Sequence, residues 1–333
     1  ALAAPHAQDV SADEVALGTE RMTVQALQAR TRARALSTSG GSVAPAAATA
    51  TAVTYTPAQI RAAYALPALP AANLTPTALQ AAQQGAGQTI YIVDAMHDPN
   101  VAAELAAFNS KFGLPACTVK TVATSTALPL AAAKAADGCT LSVVYSTPSG
   151  GMTTTTPAYD ASWATEIALD VQWAHATAPR ARIVLIETAD ASLNSLLGGI
   201  KLANAMGPGA VSMSFGGNEG NWTAQVDPAF AGTGMTYLAA TGDSGSGVSW
   251  PAVSTRVLAV GGTTLTYSGT SARSETAWSL GGGGISAYTA TPSYQSNQVP
   301  GLGTLARRAV ADVAFNANPY SGQYVAVKPQ GSD

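Results

Sequence analysis

Charged side chains are scarce in this chain of 333 residues. Asp, Glu, Lys and Arg together make up 11%, and the formal net charge is −3. Because an average soluble protein has roughly 25% charged residues, surface polarity here must come from Ser, Thr, Asn, Gln and Gly. The charge balance offers no basic surface for nucleic acid or for an anionic membrane. This composition is typical of exported proteins, so we expect a secreted protein without nucleic-acid partners.

Long apolar runs are also missing. No stretch approaches the roughly 18 consecutive apolar residues of a membrane-spanning helix, so no membrane partner is expected. The opening residues 1–8 resemble the surroundings of a signal-peptidase site, although the apolar core of a signal is missing. The length suits one large α/β domain with an appendage.

Cysteine and histidine are rare. The two cysteines are Cys117 and Cys139, and the three histidines are His6, His97 and His175. In an exported chain, one disulfide that closes a surface loop is the favoured interpretation, with two free thiols as the alternative. No histidine lies near either cysteine in the sequence and no histidine pair has ligand spacing, so no metal site and no cofactor are predicted.

Residues 1–52 differ in composition from residues 53–333. A cluster of four arginines is followed by a tract of Ser, Gly, Ala and Thr over 37–51. This pattern predicts a short helix and a flexible linker, which we interpret as the remnant of a leader or prosegment. A disordered tail is the alternative. Residues 53–333 are predicted to form one globular domain.

Apolar patterning predicts the fold class. Five near-continuous apolar stretches predict strands: 89–94, 182–187, 210–215, 235–240 and 257–261. Three stretches predict helices: 100–112, 160–177 and 191–206, the second capped by Asp160 or Ser162. Strands without polar alternation, separated by helices, indicate an α/β fold with a doubly wound, mostly parallel sheet and helices on both faces. After Gly262, we expect substrate-facing loops and a hairpin rich in Thr and Ser.

Two carboxylates lie four residues apart in the central predicted helix. Glu166 and Asp170 share one helix face, with Cβ atoms roughly 5–6 Å apart, and Trp163 and Trp173 bracket them on that face. Like charges repel and apolar neighbours exclude water, so the pKa of at least one carboxyl should rise. The pair is then predicted to share a proton in mild acid. Such a pair indicates acid–base chemistry rather than stabilisation.

A third carboxylate, Asp243, follows the predicted strand 235–240 within a glycine-rich turn. Ligands of parallel sheets bind beyond the carboxyl ends of the strands, and glycines let a substrate approach closely. An ordinary Asp-Gly turn is the alternative. Three carboxylates without a basic partner favour acid chemistry over metal capture, since no loop has the dense Asp/Asn spacing of a calcium site.

Several motifs occur in an order that resembles the sedolisins, the serine-carboxyl peptidases of subtilisin-like fold. They cover most of residues 53–333 and include Glu166-x-x-x-Asp170, Val211-Ser-Met-Ser-Phe-Gly-Gly217, Gly242-Asp-Ser-Gly245, Val257-Leu-Ala-Val-Gly-Gly-Thr263 and Ala311-Asp-Val-Ala314. The resemblance implies that Glu166 is the general base for a serine nucleophile and that Asp170 supports it. It implies that Asp243 donates to the oxyanion from a protonated carboxyl. The implied activity is secreted, acid-acting endopeptidase cleavage of proteins and peptides.

The nucleophile departs from the family pattern. Sedolisins carry it in Ser-Gly-Thr-Ser-x-x-x-Pro after the Asp-Val-Ala segment, and this sequence stops at Asp333 before such a motif. Ser271, in Ser268-Gly-Thr-Ser271, lacks the following proline and is interpreted as part of a polar turn. Either a second chain or segment supplies the serine, or the chain is an inactive pseudopeptidase that binds peptides. The calcium site that the family builds near its carboxyl end would be missing with that segment.

A subtilisin-type pair of Asp94 and His175 is the remaining alternative. Asp94 lacks the usual following glycine, and His175 lies at the end of the acidic helix. A histidine there is more typical of a helix C-terminal cation or a satisfied core residue.

Overall fold

The structure is a computed structural model that describes residues 52–69, 75–269, 273–295 and 303–328. The predicted leader and linker therefore lie outside the described residues, apart from residue 52. None of the helices in the described ranges combines the length and the apolarity that a membrane crossing requires.

Helices and strands alternate through the first half of the described chain. The helices are α1 (Pro57–Ala63), α2 (Ala78–Gln83), α3 (Val101–Phe112), α4 (Ala161–Thr177), α5 (Leu193–Met206) and α6 (Thr223–Val226). The strands are β1 (Thr89–Ala95), β2 (Thr118–Val119), β3 (Thr140–Ser146), β4 (Met152–Thr153), β5 (Arg182–Thr188), β6 (Gly209–Met213), β7 (Gly217–Asn218), β8 (Met235–Ala240), β9 (Ser249–Trp250), β10 (Val257–Thr266), β11 (Ser274–Ala277), β12 (Gly284–Ala290), β13 (Arg307–Val310) and β14 (Val313–Asn316).

A mostly parallel sheet forms the centre of the molecule. Its strand order is β11-β10-β8-β6-β1-β5-β3-β2, with β14 also paired to β10 and β4 to β3. Neighbouring strands from β10 to β2 along this path run parallel, whereas β11 pairs antiparallel with β10. The predicted α/β fold class, a mostly parallel sheet with helices on both faces, is therefore confirmed. The predicted Thr/Ser-rich hairpin is the β10–β11 pair.

Both faces of the central strands are buried, which explains why they lack polar alternation. In β1, Ile92 packs with α4 residues Ile167 and Val171 on one face. The neighbouring Tyr91 and Val93 belong to the other core, which the apolar side of α5 covers. Helices α3 and α4 thus share one face of the sheet, and α5 occupies the opposite face.

The region after Gly262 differs from the expectation of loops. Strand β10 continues to Thr266, and β11 to β14 follow it. These short strands lie at one side of the sheet or in a separate two-stranded pair, and β11, β12 and β14 are only partly buried, whereas β13 is buried apart from Arg307. Because one side of such strands faces solvent, they tolerate Ser, Thr and Gly, and their sequence resembles that of loops.

The predicted disulfide is present. Cys117 and Cys139 are bonded, with Cα atoms 4.6 Å apart. Buried His175 lies close to both sulfur atoms, and its Nε2 is 2.8 Å from the carbonyl oxygen of Pro115. Burial lowers the pKa of His175 to about 4. His175 is therefore a neutral core residue near pH 7 and not a helix C-terminal cation, and the disulfide leaves no thiolate beside it for a metal.

Candidate active site

Helix α4 begins where the sequence predicts. Its N-cap is Asp160, whose Oδ1 accepts hydrogen bonds from the backbone amides of Ser162 and Trp163 at 2.9 and 3.0 Å. The helix follows the carboxyl end of β3 and leads into the start of β5, so it runs antiparallel to the strands. The first turns of α4 consequently lie at the carboxyl edge of the sheet, where α/β proteins bind ligands.

Glu166 and Asp170 lie along the margin of the buried face of α4. Glu166 is 8% exposed, and Asp170 is half-buried. The intervening Ile167 and the following Val171 are fully buried against the sheet, which holds both carboxyl groups at the edge of the apolar core. The structure thus keeps the predicted pair on one helix face with little access to bulk water. The sharing of a proton between these two groups stays a prediction.

The two indoles that bracket the pair have different surroundings. Trp163 is buried in the large core shared with α5. Trp173 is half-buried, packs against Phe108 with ring centroids 6.0 Å apart, and donates from Nε1 to the carbonyl oxygen of Tyr324 at 2.9 Å. Trp173 therefore anchors a segment that arrives from the far end of the chain.

Asp243 lies at the same edge of the sheet, beyond β8. The preceding Thr241 is buried: its amide donates to the carbonyl oxygen of Val260 at 3.0 Å, and its Oγ1 donates to that of Gly282 at 2.7 Å. Asp243 itself is exposed. Strand β6 lies between β8, which precedes Asp243, and β1, against which α4 packs. Strands β8 and β1 are therefore roughly 10 Å apart.

The glycine run 281–284 packs directly on the Asp243 loop. The Gly282 amide donates to the carbonyl oxygen of Gly242 at 2.6 Å, and Gly247 and Gly283 exchange two backbone hydrogen bonds of 2.9 and 3.0 Å. A Cβ atom on Gly282 would lie 1.8 Å from the carbonyl oxygen of Thr241. Only glycine fits this close approach. The expectation that segments after Gly262 face the substrate stays a prediction for this run.

Gly282→Ala is expected to displace the Asp243 loop and to lower the free energy of unfolding by about 1–3 kcal/mol or more, because the added methyl overlaps a backbone atom. Denaturant titration measures this loss. Gly151→Ala is the matched control, since a Cβ there meets only Thr147 Oγ1 at 3.4 Å, an ordinary contact. Equal stability losses for the two variants would contradict the assigned close approach.

A pair of half-buried His97 and buried Glu187 lies at the same edge and was not predicted. Glu187 ends the apolar part of β5 in register with Asp94 of β1, and both side chains are fully buried. His97 Nδ1 is 2.6 Å from Glu187 Oε2, and the Asp98 amide donates to Glu187 Oε1 at 3.0 Å. The hydrogen bond raises the pKa of His97, and burial raises the pKa of Glu187. The sequence signal that could have identified His97 and Glu187 was their position at or just after the end of an apolar strand.

The alternative assignments fare differently. Asp94 is the next-to-last residue of β1, at the carboxyl edge, whereas His175 lies in the last turn of α4, at the end of the helix that leads into β5. At 1.5 Å per residue, His175 is roughly 14 Å along the helix from Glu166. The structure therefore does not bring Asp94 and His175 together as a subtilisin-type pair. Ser271, the alternative nucleophile, lies outside the described residues.

Comparisons with known proteins show which families this chain is similar to. The model of the Subtilase family matches residues 160–323. Kumamolisin from Bacillus sp. (strain MN-32) is 36% identical over 193 residues, covering 49% of this chain and 34% of the relative. Sedolisin from Pseudomonas sp. (strain 101) is 36% identical over 120 residues, covering 28% of this chain and 20% of the relative. The chain thus spans about a third or less of the length of these relatives.

A solved structure gives the same fold. It is Pseudomonas sedolisin, a serine-carboxyl proteinase, complexed with two molecules of pseudo-iodotyrostatin. The TM-score is 0.62 at 24% identity, over 83% of this chain and 74% of that chain. The match supports the subtilisin-like arrangement of the sheet and helices.

Proposed function

We propose that this chain belongs to the sedolisin family of peptidases, which are subtilisin-like in fold, and that it carries the acid–base groups of a secreted, acid-acting serine-carboxyl endopeptidase. The substrates are proteins and peptides. The observation that carries the proposal is the placement of nearly buried Glu166 on α4 at the sheet edge where Asp243 follows β8. The attacking serine is supplied by a segment or second chain outside these 333 residues, and calcium would belong to that segment.

The proposed reaction is acyl transfer. The serine oxygen attacks the peptide carbonyl carbon, and its proton passes to Glu166. The carbonyl oxygen takes the negative charge and accepts a hydrogen bond from the protonated carboxyl of Asp243. The carbon–nitrogen bond then breaks as Glu166 returns the proton to the leaving amine, which leaves an acyl-serine. Water repeats the sequence, with Glu166 again as base, and releases the acid.

The acid dependence follows from the proposed role of Asp243. A carboxyl donates a hydrogen bond only while it holds its proton, and an ionised Asp243 would repel the oxyanion. Asp170 orients Glu166 and shares charge with it, as the third group does in other triads. Secretion is supported by the low content of charged residues and by the Cys117–Cys139 disulfide, since such bonds persist in oxidising compartments.

The full polypeptide that contains these residues should be tested for cleavage of a denatured protein across acidic and neutral pH. The expected result is cleavage that rises as the pH falls below neutrality, together with covalent labelling of one serine by an acylating inhibitor. Peptide binding without cleavage at any pH would favour the pseudopeptidase alternative. The mass and carboxyl-terminal sequence of the native polypeptide would identify the segment that carries the serine.

A further inference from the structure

Residues 322–328 form an extended segment, here called the strap, that crosses helices α3 and α4. At its start, the Tyr55 amide donates to the carbonyl oxygen of Gly322 at 2.8 Å, and the Tyr324 amide donates to that of Tyr55 at 3.3 Å. Further along, Trp173 binds the carbonyl oxygen of Tyr324. The strap thus begins as a neighbour of the chain before α1 and continues onto α4.

A side chain of α4 binds the middle of the strap as a neighbouring strand would. Gln172 Nε2 donates to the carbonyl oxygen of Ala326 at 2.7 Å, and Gln172 Oε1 accepts from the Ala326 amide at 2.8 Å. Gln172 is fully buried, so both halves of its amide depend on the strap for these hydrogen bonds. Since Gln172 is two residues from Asp170, the strap braces the helix that carries the proposed base.

The end of the strap is bound by α3 and its cap. The Lys328 amide donates to Glu104 Oε1 at 2.6 Å, and Asn100 Nδ2 donates to the carbonyl oxygen of Lys328 at 3.0 Å. Side chains of α3 and α4 therefore hold backbone groups at Tyr324, Ala326 and Lys328. This spacing of two residues is the period with which an extended peptide presents one edge.

Glu104 is paired with a second buried carboxyl. Asp98 is 1% exposed and Glu104 is 3% exposed. Asp98 Oδ1 accepts from the Asn100 amide at 2.8 Å, whereas Asp98 Oδ2 and Glu104 Oε2 are buried and have no hydrogen-bond donor among the described residues. The two carboxyl groups are close enough for Asp98 to affect the charge of Glu104. A proton on Glu104 would let its hydroxyl donate to Asp98, which supplies the missing partner for both oxygens.

Burial is the main cause of that protonation. It raises the pKa of Glu104 from an ordinary 4.5 to about 8, and the hydrogen bond and charge of Asp98 add to the rise. The Lys328 amide acts in the opposite direction but does not cancel it. A protonated Glu104 satisfies both neighbours, because its hydroxyl donates to Asp98 while its carbonyl oxygen accepts from Lys328.

We propose that the α3–α4 surface is a docking groove for the strap and that the single proton shared by Asp98 and Glu104 is the latch that holds the Lys328 end. Loss of this proton leaves two buried negative charges side by side, and lifting the strap admits the water that relieves them. The inference concerns the packing of the strap and holds whether or not the chain takes part in peptide hydrolysis.

The surrounding charges oppose a second negative charge at the latch. Glu187 of β5 and Asp94 of β1 are carboxyl groups on the same side of the sheet as α3, and α4 contributes Glu166 and Asp170. His97 is the nearby group that can carry positive charge, and it is held by Glu187. The remaining ionisable groups of these elements are half-buried Arg182 at the start of β5, buried Tyr91 of β1, exposed Lys111 of α3, exposed Tyr324 and Lys328 of the strap, and neutral, buried His175.

The sign of the pH effect follows from linkage. The docked state binds the proton more tightly than an open state in which Glu104 is hydrated. The bound proton therefore stabilises the docked strap to its full extent below the ordinary carboxyl pKa of 4.5. This stabilisation is lost as the pH rises through about 8. Within that window, the equilibrium constant for opening should rise by about tenfold per pH unit.

Amide hydrogen exchange on this polypeptide tests the latch. The protection factors of the Ala326 and Lys328 amides, corrected for intrinsic exchange, should fall about tenfold per pH unit between pH 5 and 8. In Glu104→Gln, the amide accepts from Lys328 and donates to Asp98 as the protonated acid does, so protection should not change with pH. Asp98→Asn should narrow the pH range of the fall, because it removes the charge of Asp98 and its amide can donate to an ionised Glu104, whereas the burial of Glu104 remains. Asp137→Asn, at an exposed carboxyl, should behave as the wild type.

Three results would overturn the proposal. The first is a flat wild-type profile, and the second is a fall that persists unchanged in both Glu104→Gln and Asp98→Asn. The third is parallel loss of protection at the core amides of Ile92 and Leu185, since that would indicate global unfolding rather than opening of the strap. Near-ultraviolet circular dichroism shows which of the two latch variants is folded, and either one suffices for the comparison.

Discussion

Glu166→Gln is expected to lower kcat for peptide hydrolysis by the full polypeptide about 10²–10⁴-fold, the usual contribution of a general acid–base group. Glutamine matches the shape of glutamate but cannot take the serine proton at any pH. The loss should therefore appear in kcat across the whole active pH range, with KM little changed. Steady-state kinetics on a peptide substrate measures both constants, and Asp137→Asn provides an exposed control that should retain activity.

Asp170→Asn sharpens this test because Asp170 is proposed to act through Glu166. If the two residues act as one unit, adding Asp170→Asn to Glu166→Gln should lower kcat far less than Asp170→Asn lowers it in the wild type. Independent, multiplicative losses would indicate that Asp170 acts elsewhere. Full activity in Glu166→Gln, with folding verified by its thermal transition, would remove the proposed base altogether.

Among the strands that sequence patterning predicted, β1 and β5 are buried on both faces of the sheet. In β1 and β5, the side chains of successive residues such as Tyr91 and Ile92 enter opposite cores, so the stretch is apolar without interruption. Strand β3 was missed although it lies beside β5, because Thr140, Ser142 and Ser146 interrupt its apolar residues. Burial of a hydroxyl depends on hydrogen-bond partners that only the folded chain supplies.

The acidic helix was predictable because its signals are local. Asp160 as cap and the spacing of Glu166 and Asp170 refer only to neighbours within a few turns, and the observed helix begins one residue after the cap. The position of Asp243 at the carboxyl edge also followed from one rule about parallel sheets. By contrast, the hydrogen bond between Thr241 and Gly282 joins residues 41 positions apart, which no local sequence pattern indicates.

The strap and its latch could not be predicted for the same reason. Glu104 meets the Lys328 amide across 224 positions of sequence, and Gln172 meets Ala326 across 154. Along α3, Glu104 looks like an ordinary acid in the first turn of a helix, where it favours the helix dipole. Only the three-dimensional arrangement shows that it is buried beside Asp98 and covered by the far end of the chain.

Substitutions at Asp243 distinguish two proposed sources of the acid dependence of kcat. Asp243→Ala is expected to lower kcat about 10²–10³-fold, the usual cost of one lost oxyanion donor. Asp243→Asn should retain more activity, since its amide donates at every pH, and its activity should persist to higher pH than that of the wild type. Comparison of kcat against pH for the wild type and the two variants measures this. An unchanged alkaline limit in Asp243→Asn would assign the acid requirement to Glu166 and Asp170 instead, and equal losses in both variants would contradict a donor role for Asp243.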